Sequence, residues 1–172
     1  HRFVSWHLGR PDREVLASEL KFDVEIPVCG DRVRLRGAMD RVERDDHGRV
    51  VVVDFKTGKR APDAESLRDD PQLGAYQLAV QRGALADETG PNPRLGGAEL
   101  VHLRLDEAGG PRVRSQSPLN HDDGRTTVEV QLQTAADTVR TERFVARPGP
   151  ACRHCQFKRV CPASSAGRQV VY

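Results

Sequence analysis

The order of hydrophobic patterns along this chain predicts an α/β fold, a mixed central β-sheet flanked by helices. Three observations carry it. Apolar and polar residues alternate over 19 to 28, four valines stand together at 50 to 53, and the apolar-faced run QLGAYQLAV follows a proline at position 71.

Taken in order, ELKFDVEIPV at 19 to 28 reads as a half-buried strand, and CGD at 29 to 31 as its turn. The return strand runs from about 32 to 44, with Val33, Leu35, Ala38 and Val42 spaced among arginines. DDHG at 45 to 48 is a second turn. RVVVVDF then reads as a strand buried on both faces and so central in its sheet. After the loop KTGKRAPDAESLRDD, Pro71 suits a first helical turn, and the helix runs to about Gly83. Residues 86 to 97, rich in Gly and Pro, read as loop, 98 to 105 and 112 to 117 as strands, and 126 to 145 as a helix. The predicted order is βββαββα.

The chain has 172 residues, 37% of them hydrophobic, enough for one domain with a sizeable core. A single domain over 1–172 is expected, with a core at 19–83 and a cysteine segment at 150–162. The longest apolar runs fall far short of the roughly 20 residues that cross a bilayer. A start at His1, with no leader-like segment, suggests a fragment of a larger protein. Arginine outnumbers lysine 23 to 4, which hints at GC-rich codons.

A net charge of +2 is too small to argue nucleic-acid binding. Its distribution says more. Residues 140 to 172 hold seven Arg or Lys against Glu142 alone, a local +6 that leaves −4 for the rest. That segment is either a solvated basic tail or a phosphate-facing patch.

Asp40 lies near the end of the second strand, in GAMDR, and Asp54 and Lys56 flank Phe55 on the third, in VDFKTGK. Residues two apart on a strand share a face, so Asp54 and Lys56 point the same way. If the turn at 45 to 48 folds the strands together, Asp40 lies beside Asp54. A carboxylate directly after four valines is costly to bury without a cation or hydrogen bonds. Two such carboxylates repel, and a hard divalent ion, Mg²⁺ or Mn²⁺, removes the conflict. By spacing alone, a salt bridge at a strand end is as compatible as a metal site. Gln72 and Tyr76, four apart, share one helical face.

GAMDRVERDDHGRVVVVDFKTGK followed by DDPQLGAYQLAV resembles the RecB family of nucleases, within the PD-(D/E)xK phosphodiesterase superfamily. The likeness runs from about Glu19 to Cys161. In that family an Asp, a D/E-x-K and a Gln-x-x-x-Tyr helix follow one another, and here they fall on Asp40, on Asp54 and Lys56, and on Gln72 and Tyr76. The resemblance implies a restriction-endonuclease-like core and metal-dependent cleavage of DNA, exonucleolytic more readily than endonucleolytic, with Asp40 and Asp54 holding the metal. It also implies a helicase/ATPase partner, in the same polypeptide or another subunit, in double-strand-break repair. Met39 stands where the family usually has Pro. The family's upstream helix usually supplies another metal-site residue; His7 is the candidate. Glu19 reads mainly as structural, with a lesser chance of supporting the site.

Cys152, Cys155 and Cys161 are spaced tightly enough to suggest a soft metal, zinc or iron–sulfur, each of which normally takes four ligands. Cys29, His154 or a residue upstream of His1 are the alternatives for the fourth, and a disulfide is the reading without metal. The resemblance, to Cas4- and AddB-like nucleases among others, implies a [4Fe–4S] cluster whose fourth ligand lies upstream, and a cytoplasmic location. Two other classes stay open. A nuclease-like scaffold that binds DNA without cutting would be expected to lose Asp40, Asp54 or Lys56, and a cysteine-metal redox module leaves those three unexplained.

Overall fold

The computed structural model describes residues 1–28, 30–120, 124–165 and 167. Two compact units divide the chain, His1–Thr134 and Ala135–Tyr172.

The first unit is built on a five-stranded sheet in the order β1-β2-β3-β4-β5, so each strand pairs with its neighbours in sequence. The strands are β1 (Glu14–Val28), β2 (Asp31–Arg44), β3 (Val50–Lys56), β4 (Leu95–Glu107) and β5 (Gly110–Gln116). All pairings are antiparallel except β3 with β4, which makes the sheet mixed as expected. A parallel pair needs a long crossover. Here it is supplied by α2 (Ala64–Arg68), α3 (Pro71–Gln81) and α4 (Ala86–Thr89). α1 (Arg2–Leu8) precedes the sheet and α5 (Thr127–Arg140) follows it.

The valines of β3 are buried on both faces, as the unbroken apolar run requires. Val50 and Val52 pack with Met39, Val42, Leu73 and Leu100 on the side of α2 and α3. Val51 and Val53 pack with Trp6 and Val101 on the side of α1. The far end of the β1–β2 hairpin closes against Leu78 and Val128. α3 starts sharply: Asp70 accepts the Leu73 N–H at 3.0 Å, and Pro71 sits in the first turn.

Several boundaries differ from the sequence-based expectation. β1 begins at Glu14 rather than 19, because a register shift between Val15 and Ala17 breaks the alternation there. The expected loop after β3 contains α2, capped by Asp63, which accepts the Ser66 N–H at 2.7 Å. The expected loop at 86 to 97 holds α4 and the start of β4. α5 stops at Arg140 instead of 145, since Glu142 takes a left-handed φ of 53° and the Arg143 N–H turns back to the Thr138 carbonyl. No helix among the described residues is long and apolar enough to cross a membrane.

In the second unit, which includes the last turns of α5, a short 3₁₀ turn (Pro150–His154) carries Cys152, and the other described residues after Arg140 form turns and irregular chain. Cys152, Cys155 and Cys161 are free thiols that line one cavity of about 250 Å³ with Arg147 and Lys158. Cys152 Sγ accepts the Gly149 N–H at 3.3 Å.

Candidate active site

The β2–β3 ladder ends at the pair Arg41 and Val53. One step further the register brings Asp40 level with Asp54, and the Asp40 charge acts on the Asp54 carboxyl. The backbone ladder is replaced at that step by a side chain: Asp40 Oδ2 accepts the Phe55 N–H at 2.8 Å.

Asp54 is 4% exposed, yet it follows four valines into the core and carries a charge. Burial pushes its carboxyl above the ordinary carboxylate range; Asp40 and Asp70 add to that, and Lys56 opposes it. Lys56 Nζ lies 2.8 Å from Asp54 Oδ2. This ion pair partly offsets the cost of burying Oδ2. The same ammonium donates to Gln72 Oε1 at 2.9 Å. Gln72 Nε2 donates in turn to Asp54 Oδ1 at 3.2 Å and to the Tyr76 hydroxyl at 2.9 Å.

Asp40, Asp54, Lys56, Gln72 and Tyr76 therefore converge on one side of the sheet, joined by the first turn of α3. His7 does not join them, whereas Glu19 falls between Ser18 and Leu20, which pair with Arg41 and Met39, and so lies level with Asp40. Arg41 alternates with Asp40 and points to the opposite face, where its guanidinium meets His7 Nδ1 at 3.0 Å. Glu19 is exposed and sits at a φ of 51° within β1.

The donor set suits a hard divalent cation. Mg²⁺ takes one or two carboxylates and fills its other positions with water and phosphate, and Asp40 and Asp54 supply two carboxylates close enough for the Asp40 charge to act on Asp54. The cysteines do not show a comparable fit. Among the described residues, no group of three or more His, Cys, Asp or Glu side chains is placed to hold a metal. Sharing a cavity wall does not bring three sulfurs within about 2.3 Å of one point, as a thiolate metal site requires. Cys29 and Arg168 lie outside the described residues.

Sequence reasoning missed the residues that hold α3 in place. Gln116, on β5, donates through Nε2 to the carbonyls of Leu67, Arg68 and Asp70, and accepts from Gln77 Nε2 at 2.9 Å. Gln77 Oε1 accepts the Leu119 N–H at 3.2 Å. These two buried amides pin the α2–α3 turn to the sheet edge, and so fix Gln72 over Asp54. Gly97 contributes by absence: at a φ of 103°, any Cβ there would fall on the Gln116 carbonyl oxygen.

On the α1 face a buried charge cluster holds the N-terminal helix. Glu99 pairs with Arg10 at 2.7 Å and Arg13 at 3.2 Å, and Glu43, fully buried, pairs with Arg41 at 2.7 Å. The Arg10 guanidinium lies 4.6 Å from the Trp6 ring centroid, and Trp6 meets Phe55 edge-on at 5.4 Å.

The mixed sheet thus carries Asp40 on β2 and Asp54 and Lys56 at the end of its central strand, β3. Residues 1–162 match the PD-(D/E)XK nuclease superfamily, and the chain belongs to that superfamily. Among solved structures it is similar to one described as the crystal structure of SSO0001, at 18% identity and a TM-score of 0.53. The match covers 94% of this chain and 66% of that one, so this chain spans just under two thirds of that protein's length. That likeness bears on the fold alone. No curated protein matches.

Proposed function

We propose that this chain is a divalent-metal-dependent deoxyribonuclease domain that hydrolyses phosphodiester bonds at Asp40, Asp54 and Lys56. The observation that carries the reading is the network in which Lys56 and Gln72 meet the buried Asp54 carboxylate, with the Asp40 charge acting on it and Tyr76 bonded to Gln72.

Asp40 and Asp54 would hold Mg²⁺ or Mn²⁺, which supplies a Lewis acid for the phosphate and acidifies an attacking water. Lys56 donates a hydrogen bond from its ammonium to a phosphate oxygen, or orients the water, stabilising charge that grows in the transition state. Gln72, held by Lys56 and Tyr76, and the Tyr76 hydroxyl contact the substrate backbone from the helix side. Exposed Arg143, Arg147, Arg153, Lys158 and Arg159 of the second unit add a sequence-independent attraction for phosphates.

The resemblance to RecB-family nucleases supports exonucleolytic action within an ATP-dependent helicase–nuclease that processes double-strand breaks. That part rests on the resemblance and not on geometry. The [4Fe–4S] cluster has no convergent thiol set behind it among the described residues and takes no part in this reading.

The test is degradation of end-labelled DNA with Mg²⁺ or Mn²⁺, comparing the chain with Asp54→Ala on linear and covalently closed substrates. Loss of cleavage in the variant, with linear DNA preferred, is expected. Equal cleavage by both proteins sinks the catalytic assignment. Binding of DNA without cleavage by either protein favours a non-cutting scaffold.

A further inference from the structure

His102 is a buried group that the proposed chemistry does not use. It is 2% exposed, and neither ring nitrogen has a hydrogen-bond partner among the described residues. Leaving such a group unpaired is costly, and native proteins rarely tolerate it without a reason. Its place in the sheet suggests one. The parallel register sets His102 beside Lys56, and the antiparallel register sets it beside Arg112. Leu100, two residues earlier on β4, packs in the core under α3, so His102 lies on the side of the sheet that carries Asp54 and Lys56.

A divalent cation on the Asp54 carboxylate weakens the hold of that carboxylate on Lys56. The ammonium is 2.8 Å from Asp54 Oδ2, so a cation taking that oxygen brings a second positive charge onto the same carboxylate, and the two repel. Lys56 has Gln72 Oε1 as one acceptor at 2.9 Å. An ammonium has three N–H donors, and a half-buried one needs a second acceptor when it gives up a carboxylate. A neutral imidazole on the next strand has an unfilled nitrogen lone pair. Arg112, Arg114 and Lys56 surround the ring with positive charge, against Asp54 alone on the other side, which together with burial keeps it unprotonated.

We propose that His102 is a positioning residue for Lys56: one ring nitrogen accepts an N–H of the Lys56 ammonium when a divalent cation binds Asp54. The inference rests on the nuclease reading above. His102 thereby holds the lysine at the site instead of releasing it to solvent.

The test uses the whole chain and Mg²⁺ without DNA. Calorimetry gives Mg²⁺ affinity for the wild-type protein, His102→Leu and His102→Gln, each with Lys56 present and with Lys56→Met. His102→Leu is expected to weaken Mg²⁺ binding about tenfold, His102→Gln to restore most of it through its amide oxygen, and His102→Leu to add nothing in the Lys56→Met background. An equal loss in both backgrounds overturns the proposal, because a packing role would not depend on Lys56. A second measurement avoids any folding defect in the leucine variant: the ¹⁵N resonance of the unprotonated His102 ring nitrogen should move on adding Mg²⁺ to wild type and stay fixed in Lys56→Met. No movement in wild type also overturns it. Asp54→Ala separates the two readings. Mg²⁺ binding that Asp54→Ala abolishes, with an unresponsive His102, sinks only the positioning role, whereas Mg²⁺ binding indifferent to Asp54→Ala sinks the nuclease reading with it.

Discussion

The carboxylate of Asp40 accepts the backbone N–H of Phe55 at 2.8 Å, taking over from the backbone ladder one step past its last pair. Asp40 thus has a structural as well as a proposed metal-binding part, and substitutions separate the two. Asp40→Asn keeps an acceptor for Phe55 and should leave stability within about 0.5 kcal/mol while removing metal-dependent cleavage. Asp40→Ala strands a backbone donor and should cost about 1–3 kcal/mol as well. Chemical denaturation read beside a cleavage assay checks both.

Asp54 is expected to oppose folding in the metal-free protein. Its folded carboxyl is held above the ordinary value of 3.8, so the ionised form is disfavoured by folding. The sign follows by linkage: full stability below pH 3.8, declining as pH rises through the raised folded value, and level above it. Asp54→Asn should therefore stabilise the metal-free chain at neutral pH by about 1 kcal/mol and abolish cleavage. The gain should disappear below the ordinary carboxylate range. Thermal melts across pH without divalent ions would show it, and a destabilised Asp54→Asn at neutral pH would contradict it.

His102 gives the opposite trend. Burial first, then Arg114, Lys56 and Arg112, hold its pKa below 6.5, so its contribution is complete above that pH and falls away as the solution is made more acidic. Replacing it with Gln should flatten the stability profile just below pH 6.5. An unchanged profile there would mean that the ring does not resist protonation.

Gln116 ties three carbonyls at the α2–α3 turn to the sheet edge. Gln116→Leu removes the side-chain donor that these carbonyls share, and takes one of the two acceptors of Gln77 Nε2. A loss of about 2 kcal/mol is expected. Because the turn carries Gln72, cleavage should fall more than the fraction unfolded explains. Activity measured well below the melting temperature tests this.

Glu43 is fully buried between Arg41 and Arg10. Glu43→Ala takes the carboxylate from the buried Arg41 guanidinium, while Arg10 keeps Glu99, and should cost about 3–5 kcal/mol, with the N-terminal helix loosening first. Hydrogen exchange at Trp6 and its neighbours would report that order.

The strands were readable because period-two alternation and the valine run speak directly of one-sided and two-sided burial. Asp54, Lys56, Gln72 and Tyr76 were readable because strand and helix periods fix which side chains share a face. The acid pair needed the β2–β3 register, which no spacing supplies. α1, α2 and α4 escaped because helices of 7, 5 and 4 residues are too short for a periodic signal. His102 escaped for another reason: in VHLRLDE it alternates like a solvent-facing residue, and only the packing of α3 and β5 puts it inside. Glu43 and Glu99 were hidden in the same way by α1.

Alternate residues of β3 serve opposite faces, Asp54 and Lys56 toward α3 and Phe55 toward Trp6. A slip of β3 by one residue would press an aspartate against the tryptophan and aim a phenyl ring at the substrate. Misthreading of this sheet is therefore all-or-nothing. A misregistered chain would lose the grip of its N-terminal helix together with the network of Asp54, Lys56 and Gln72.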